Sequence, residues 1–160
     1  MELGLTKREL LYTFAAMFFM LYISFAVTLV HETGHALAAI ALGGTIKEFV
    51  ATPFNGGYVH SHFEPNPNFS YDFITAIVLI SGGLAASLLF ILIGFFKRPF
   101  LVCVPILMLQ GFAEALGNLS LNHLCMDLFS LFTVVICMSI LYDKLWRNPV
   151  PDPIEEVATQ

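Results

Sequence analysis

From Leu10 to Val30 the chain carries no charged residue, and His31, Glu32 and His35 follow at once. An uncharged run of that length crosses a bilayer. An ionisable side chain placed at membrane depth costs roughly 3 kcal/mol unless something neutralises or coordinates it. His31-Glu32-Thr33-Gly34-His35 has the H-E-x-x-H spacing. On a helix, residues four apart share a face, so both imidazoles reach one metal ion, and Glu32 stands beside them as a candidate general base. Paired histidines also occur as simple packing residues, but in hydrocarbon a cation such as zinc gives a better account of two imidazoles and a carboxylate together.

Composition agrees with a membrane location. Apolar residues make up 58% of the 160, and charged residues 12%, about half of the ~25% usual in soluble domains. The expected fold class is an α-helical polytopic membrane protein of about four transmembrane segments, with a small β-hairpin after the first. Residues 1–142 form a single membrane-embedded domain and 143–160 a mobile tail. The net charge of −5 comes largely from the acidic stretch after Pro151, and no basic patch invites nucleic acid. Cys103, Cys125 and Cys137 lie in apolar segments without a C-x-x-C pair, so they read as small core hydrophobes. The first apolar run is too long for a signal-peptide core and leads directly into the histidines, so it belongs to the mature protein.

In order, a first helix is expected from about Leu10 to Leu42, ~50 Å long and therefore tilted, protruding or broken in a ~30 Å hydrocarbon core. Ser24, Thr28, His31 and His35 form one polar stripe along it. Gly43-Gly44 closes the helix. Residues Thr45–Ala51 and Tyr58–Phe63 flank a turn-rich centre, Pro53-Phe54-Asn55-Gly56-Gly57, and predict a hairpin over about 45–63. His60 and His62 share one strand face, best read as polar side chains at the water boundary. A second span runs from Phe73 to Phe96, with the small-residue stretch Ser81-Gly82-Gly83-Leu84-Ala85-Ala86-Ser87 suited to close helix packing. A third runs from Phe100 to Leu116 and carries Gln110 and Glu114 on one face. Gly117-Asn118 is a break, and a fourth span, opening among Asn122, His123 and Asp127, reaches about Tyr142.

Catalytic zinc usually takes three protein ligands and a water, so a third ligand must come from elsewhere. The candidates in apolar surroundings are Asp127, His123 and Glu114. A carboxylate in hydrocarbon needs a cation more than a neutral imidazole does. That ranks Asp127 first, His123 second and Glu114 third.

With these residues in place, the stretch from about Thr28 to Ser130 resembles the site-2 protease family of intramembrane zinc metallopeptidases. The motif His31-Glu32-x-x-His35 is followed by Gly43-Gly44 and by Pro53-Phe54-Asn55-Gly56-Gly57-Tyr58-Val59, similar to the family's Gly-Gly and Pro-x-Gly-Gly-Tyr-Val hairpin. Ser81–Ser87 stands where the family has Ala-Gly-Pro-x-x-Asn, with Gly83 and Ser87 replacing Pro and Asn. Asn118…Met126-Asp127-Leu128 stands where it has Asn-x-x-Pro…Leu-Asp-Gly. The resemblance implies a zinc endopeptidase cutting transmembrane segments of membrane proteins, with one Zn2+ held by His31, His35 and Asp127 and with Glu32 as general base. It further implies a substrate strand adding to the hairpin edge, and Asn118 or Asn122 holding the unwound substrate, although either asparagine also suits a helix cap.

A non-catalytic zinc-binding relative serving as a membrane scaffold is the alternative, with His123 able to close the site as a fourth ligand. Orientation is argued two ways. Lys7, Arg8, Lys97, Arg98, Lys144 and Arg147 fall on one side of four crossings, which the positive-inside rule makes cytoplasmic. The resemblance implies instead a hairpin facing the cytoplasm.

Overall fold

The computed structural model describes residues 7–52, 56–64 and 70–143. Helix α1 (Lys7–Ala41) leads into strands β1 (Thr45–Ala51) and β2 (Gly57–His62). Helix α2 (Tyr71–Phe96), a 3-10 turn (Arg98–Val102), α3 (Cys103–Ala115) and α4 (Leu119–Tyr142) follow. Four helical stretches, Leu10–Ala41, Tyr71–Phe96, Arg98–Ala115 and Leu119–Tyr142, are long and apolar enough to cross a membrane. The fold class read from the sequence is therefore the one observed. The expected tail, 144–160, lies outside the described residues.

Helix ends are set by local chemistry. Gly43 takes a left-handed φ of 83°, and the Gly44 N–H turns back to Ala39 O at 2.8 Å, satisfying carbonyls that the end of α1 would leave bare. The end of α3 repeats the device: Gly117 has φ 64° and Asn118 N–H reaches Ala113 O at 2.8 Å. Ser70 caps α2 by accepting from Phe73 N–H at 3.3 Å. Asn118 caps α4, its Oδ1 accepting from Leu121 N–H at 3.1 Å. That cap starts α4 at Leu119, about one turn earlier than the polar residues Asn122 and His123 suggested.

The third span is not the continuous helix expected from Phe100. Pro99 and Pro105 lack N–H donors and are tolerated only in a first turn, so a 3-10 turn precedes a short α3. At 13 residues, α3 alone is ~20 Å long, less than the ~30 Å hydrocarbon core.

The hairpin is antiparallel, pairing Ala51 with Gly57, Phe49 with Val59 and Thr45 with His62, with a bulge between Ile46 and Glu48. The turn residues Pro53–Asn55 lie outside the described residues. Tyr58 donates to Glu48 Oε1 at 2.7 Å across the pair, a bond that raises the phenol's pKa above its ordinary value.

Helix α2 runs between α1 and α3, and small residues set both spacings. A Cβ on Gly34 would lie 2.5 Å from Ser81 O, and one on Gly83 would lie 2.6 Å from both Gly111 Cα and Leu107 O. Backbone-to-backbone contact of this kind replaces the hydrophobic drive that lipid cannot supply. The main core gathers Ile23, Val27, Phe90, Phe100, Leu107 and Phe129, with Phe90 edge-on to Phe129 at 5.3 Å between ring centroids. Phe18, Leu88 and Phe95 face outward, as a lipid-facing surface requires.

Candidate metal centre

His31 and His35 sit one helical turn apart on α1, where the turn geometry stacks them on the face that meets α2. His35 is buried, and its Nδ1 lies 2.7 Å from Val78 O. A carbonyl only accepts, so Nδ1 carries the proton and Nε2 keeps its lone pair. That lone pair faces His31 Nε2 at 3.0 Å, the two rings standing perpendicular at 4.5 Å between centroids. On a tetrahedral zinc with Zn–N of ~2.0–2.1 Å, two such nitrogens stand ~3.3 Å apart. The pair is therefore close to the spacing of a shared ion. A fixed tautomer supplied by a backbone carbonyl is also the usual outer support of a metal-binding histidine.

The close approach of α1 and α2 depends on Gly82. A Cβ there would lie 2.5 Å from His35 Nε2 and 2.8 Å from His31 Nε2. Both atoms belong to rings that cannot yield without leaving the cluster. Gly82→Ala is therefore expected to abolish stoichiometric metal binding while the helices stay inserted, as measured by metal content and circular dichroism on the same purified sample. Undiminished metal in Gly82→Ala would mean that the two imidazoles do not hold it.

The carboxylate beside these rings is Glu114. Its Oε2 lies 3.3 Å from His31 Nε2 and its Oε1 3.8 Å from His35 Nε2. Glu32 is buried at 5% exposure, and its carboxylate joins the two histidines in a group whose ligand atoms lie within 4.8 Å of one another, able to hold a metal ion. The start of β2 closes over it, since a Cβ on Gly57 would lie 2.6 Å from Glu32 Cγ.

Asp127, ranked first from the sequence, is not part of this cluster. It is exposed, whereas the buried residues of α4 are Cys125, Phe129, Thr133, Ile136 and Cys137. Two residues beyond Cys125 is ~200° round the helix, so Asp127 lies on the side away from the bundle. Glu114 is instead one turn past Gln110 on the buried side of α3, beside the Gly83–Gly111 contact that draws α3 in. The signal for it was present: two polar residues four apart on an otherwise apolar span, next to a glycine.

A cavity of about 510 Å³ opens in front of the cluster, lined among others by His31, Glu32, Glu114, Gln110, Asn122 and His123, with Gly56 and Gly57 at its hairpin side. His123 thus borders the cavity and is not one of the three residues of the metal-capable group. Asn118 is the α4 cap and does not line the cavity. Asn122 does, with its Oδ1 buried and without a hydrogen-bond partner among the described residues. His60 is exposed, and His62 pairs with the exposed Glu64 at 3.5 Å. Both fit the water-boundary reading.

No family model, curated protein or solved structure matches this chain. The chemistry of the chain therefore rests on two imidazoles whose Nε2 atoms face each other, one carboxylate from the same helix and one from α3.

Proposed function

We propose that the chain is a zinc-dependent intramembrane endopeptidase, similar to the site-2 protease family in its motif. The observation that carries this reading is the meeting of His31, His35 and Glu114 beside a cavity that His31, Glu32 and Glu114 line, all within apolar helices. In this reading His31 Nε2, His35 Nε2 and the Glu114 carboxylate are the ligands. The choice of zinc follows from the donor set, since two imidazoles and one carboxylate are a common catalytic zinc environment.

A zinc ion held by His31, His35 and Glu114 would supply Lewis acidity to the scissile peptide and its attacking water. Glu32 takes the proton from the attacking water as the new C–O bond forms, and returns it to the amide nitrogen as the C–N bond breaks. The Val78 carbonyl holds His35 in the tautomer that keeps Nε2 available. The glycines at the cavity's hairpin side leave backbone rather than bulk beside Glu32, and the hairpin's outer edge offers main-chain groups to an extended segment. The substrate is thus a transmembrane segment of another protein, locally unwound, in the same lipid bilayer.

A second reading has support in the same geometry. Glu32 stands with His31 and His35 in a group of ligand atoms within 4.8 Å of one another, so it can be a ligand instead of a base. Were Glu114 to join these three, the zinc would be held by four side chains and be structural rather than catalytic. The scaffold alternative follows from that arrangement.

The test is reconstitution in nanodiscs with a synthetic transmembrane peptide containing a helix-breaking Gly-Pro pair. Cleavage should vanish on chelation and return on adding one equivalent of zinc. A protein that holds one zinc and leaves every such peptide intact belongs to the scaffold reading.

A further inference from the structure

We infer that Gln110 is a substrate-binding residue whose Oε1 accepts a backbone N–H from an unwound peptide in the cavity; this rests on the peptidase reading above. Gln110 is 5% exposed and lies on the same wall of the cavity as Glu114. Its Nε2 donates to Glu114 Oε2 at 3.3 Å. A carboxylate has only acceptors to offer, so the amide must turn its NH2 group that way. Its oxygen is then the end left over. That Oε1 is buried and has no hydrogen-bond partner among the described residues.

A bare carbonyl oxygen in apolar surroundings is costly, and in a native protein it calls for an explanation. Here the explanation lies in where it sits. The side chain lines a cavity large enough for several peptide units, together with Asn122 Oδ1, another buried oxygen without a partner among the described residues. Both orphan atoms are acceptors, so the occupant they fit brings donors. Within hydrocarbon a regular helix has spent its N–H groups on its own carbonyls, except in its first turn. An acceptor at this point is therefore satisfied by cavity water or by a segment whose helix has opened, and a bound segment takes over the place of that water. Gln110 thus joins the metal-site carboxylate to the substrate main chain: the donor end fixes the amide, and the acceptor end reads whether the substrate is unwound.

The experiment measures binding, so that it stands apart from turnover. Zinc-loaded Glu32→Gln protein in nanodiscs is titrated with the fluorescent Gly-Pro transmembrane peptide and with a set of the same peptide N-methylated at one backbone nitrogen at a time across the break. One N-methyl position is expected to weaken binding roughly three- to ten-fold, the worth of one hydrogen bond. In a Gln110→Met, Glu32→Gln double variant the unmethylated peptide should bind weaker by the same factor, and methylation at that position should cost nothing more. Zinc content, measured on each sample, separates this from disturbance of Glu114. Losses that simply multiply in the double variant, or an unaltered affinity with Gln110→Met, overturn the inference while leaving the peptidase reading intact if wild type still cleaves. A wild type that neither binds nor cuts the peptide overturns both.

Discussion

Glu114→Ala is expected to strip the protein of its metal, while Asp127→Ala leaves it bound. The two carboxylates are alike in chemistry and both belong to apolar helices. They differ in placement: Glu114 lies 3.3 Å and 3.8 Å from the two imidazole nitrogens, whereas Asp127 is exposed on the far side of α4. Losing an outer-sphere partner of a metal ligand costs ~10–100-fold in affinity, and losing a ligand costs more. Zinc affinity of Glu114→Ala, read by competition with a chromophoric chelator, should therefore fall by well over ~100-fold. Glu114→Asp is a useful companion, because it keeps the charge and shortens the reach by one methylene. It should retain weakened binding, which a protein that had merely unfolded would not. Zinc lost from Asp127→Ala and kept by Glu114→Ala would return the third ligand to α4 and would mean that α3 is docked differently.

Much of this was legible in the chain itself, and the reasons are local. The length and largely apolar character of the four spans, the glycine ends at Gly43 and Gly117, and the alternation of β2 are set by a few neighbouring residues. The pair His31 and His35 needs only helix periodicity to converge. The third carboxylate needs tertiary information. Membrane helices are apolar on all sides, so no stripe says which face of α4 turns inward. The Asn118 cap starts α4 at Leu119, and each residue is worth ~100° of rotation. A rule based on the cost of a buried carboxylate favoured Asp127 over Glu114 without any means of seeing that Asp127 avoids burial. The docking of α3, by contrast, is decided by Gly83 against Gly111. That contact pairs a glycine of one span with a glycine of the next, and neither signals the other along the chain. Gln110 was visible as a polar partner of Glu114 at four residues' spacing, but its unpaired oxygen emerges only once the cavity exists.

Glu32→Gln decides between the two readings of the site. Glutamine keeps the length and shape of the side chain and loses the capacity to take a proton, so the packing under Gly57 should survive. If Glu32 is the general base, peptide cleavage should fall ~100- to 10,000-fold while zinc stays bound through His31, His35 and Glu114 with little change in affinity. If Glu32 is instead the fourth ligand of a closed site, the same substitution should weaken zinc binding sharply, since an amide oxygen is a poorer donor than a carboxylate. The two quantities move independently, so one variant, assayed for cleavage of the Gly-Pro peptide and for zinc affinity, separates them. Normal cleavage in Glu32→Gln would remove the residue from the chemistry altogether. The proton would then have to pass through another group at the cavity, and His123, which borders it, is the titratable side chain next in line.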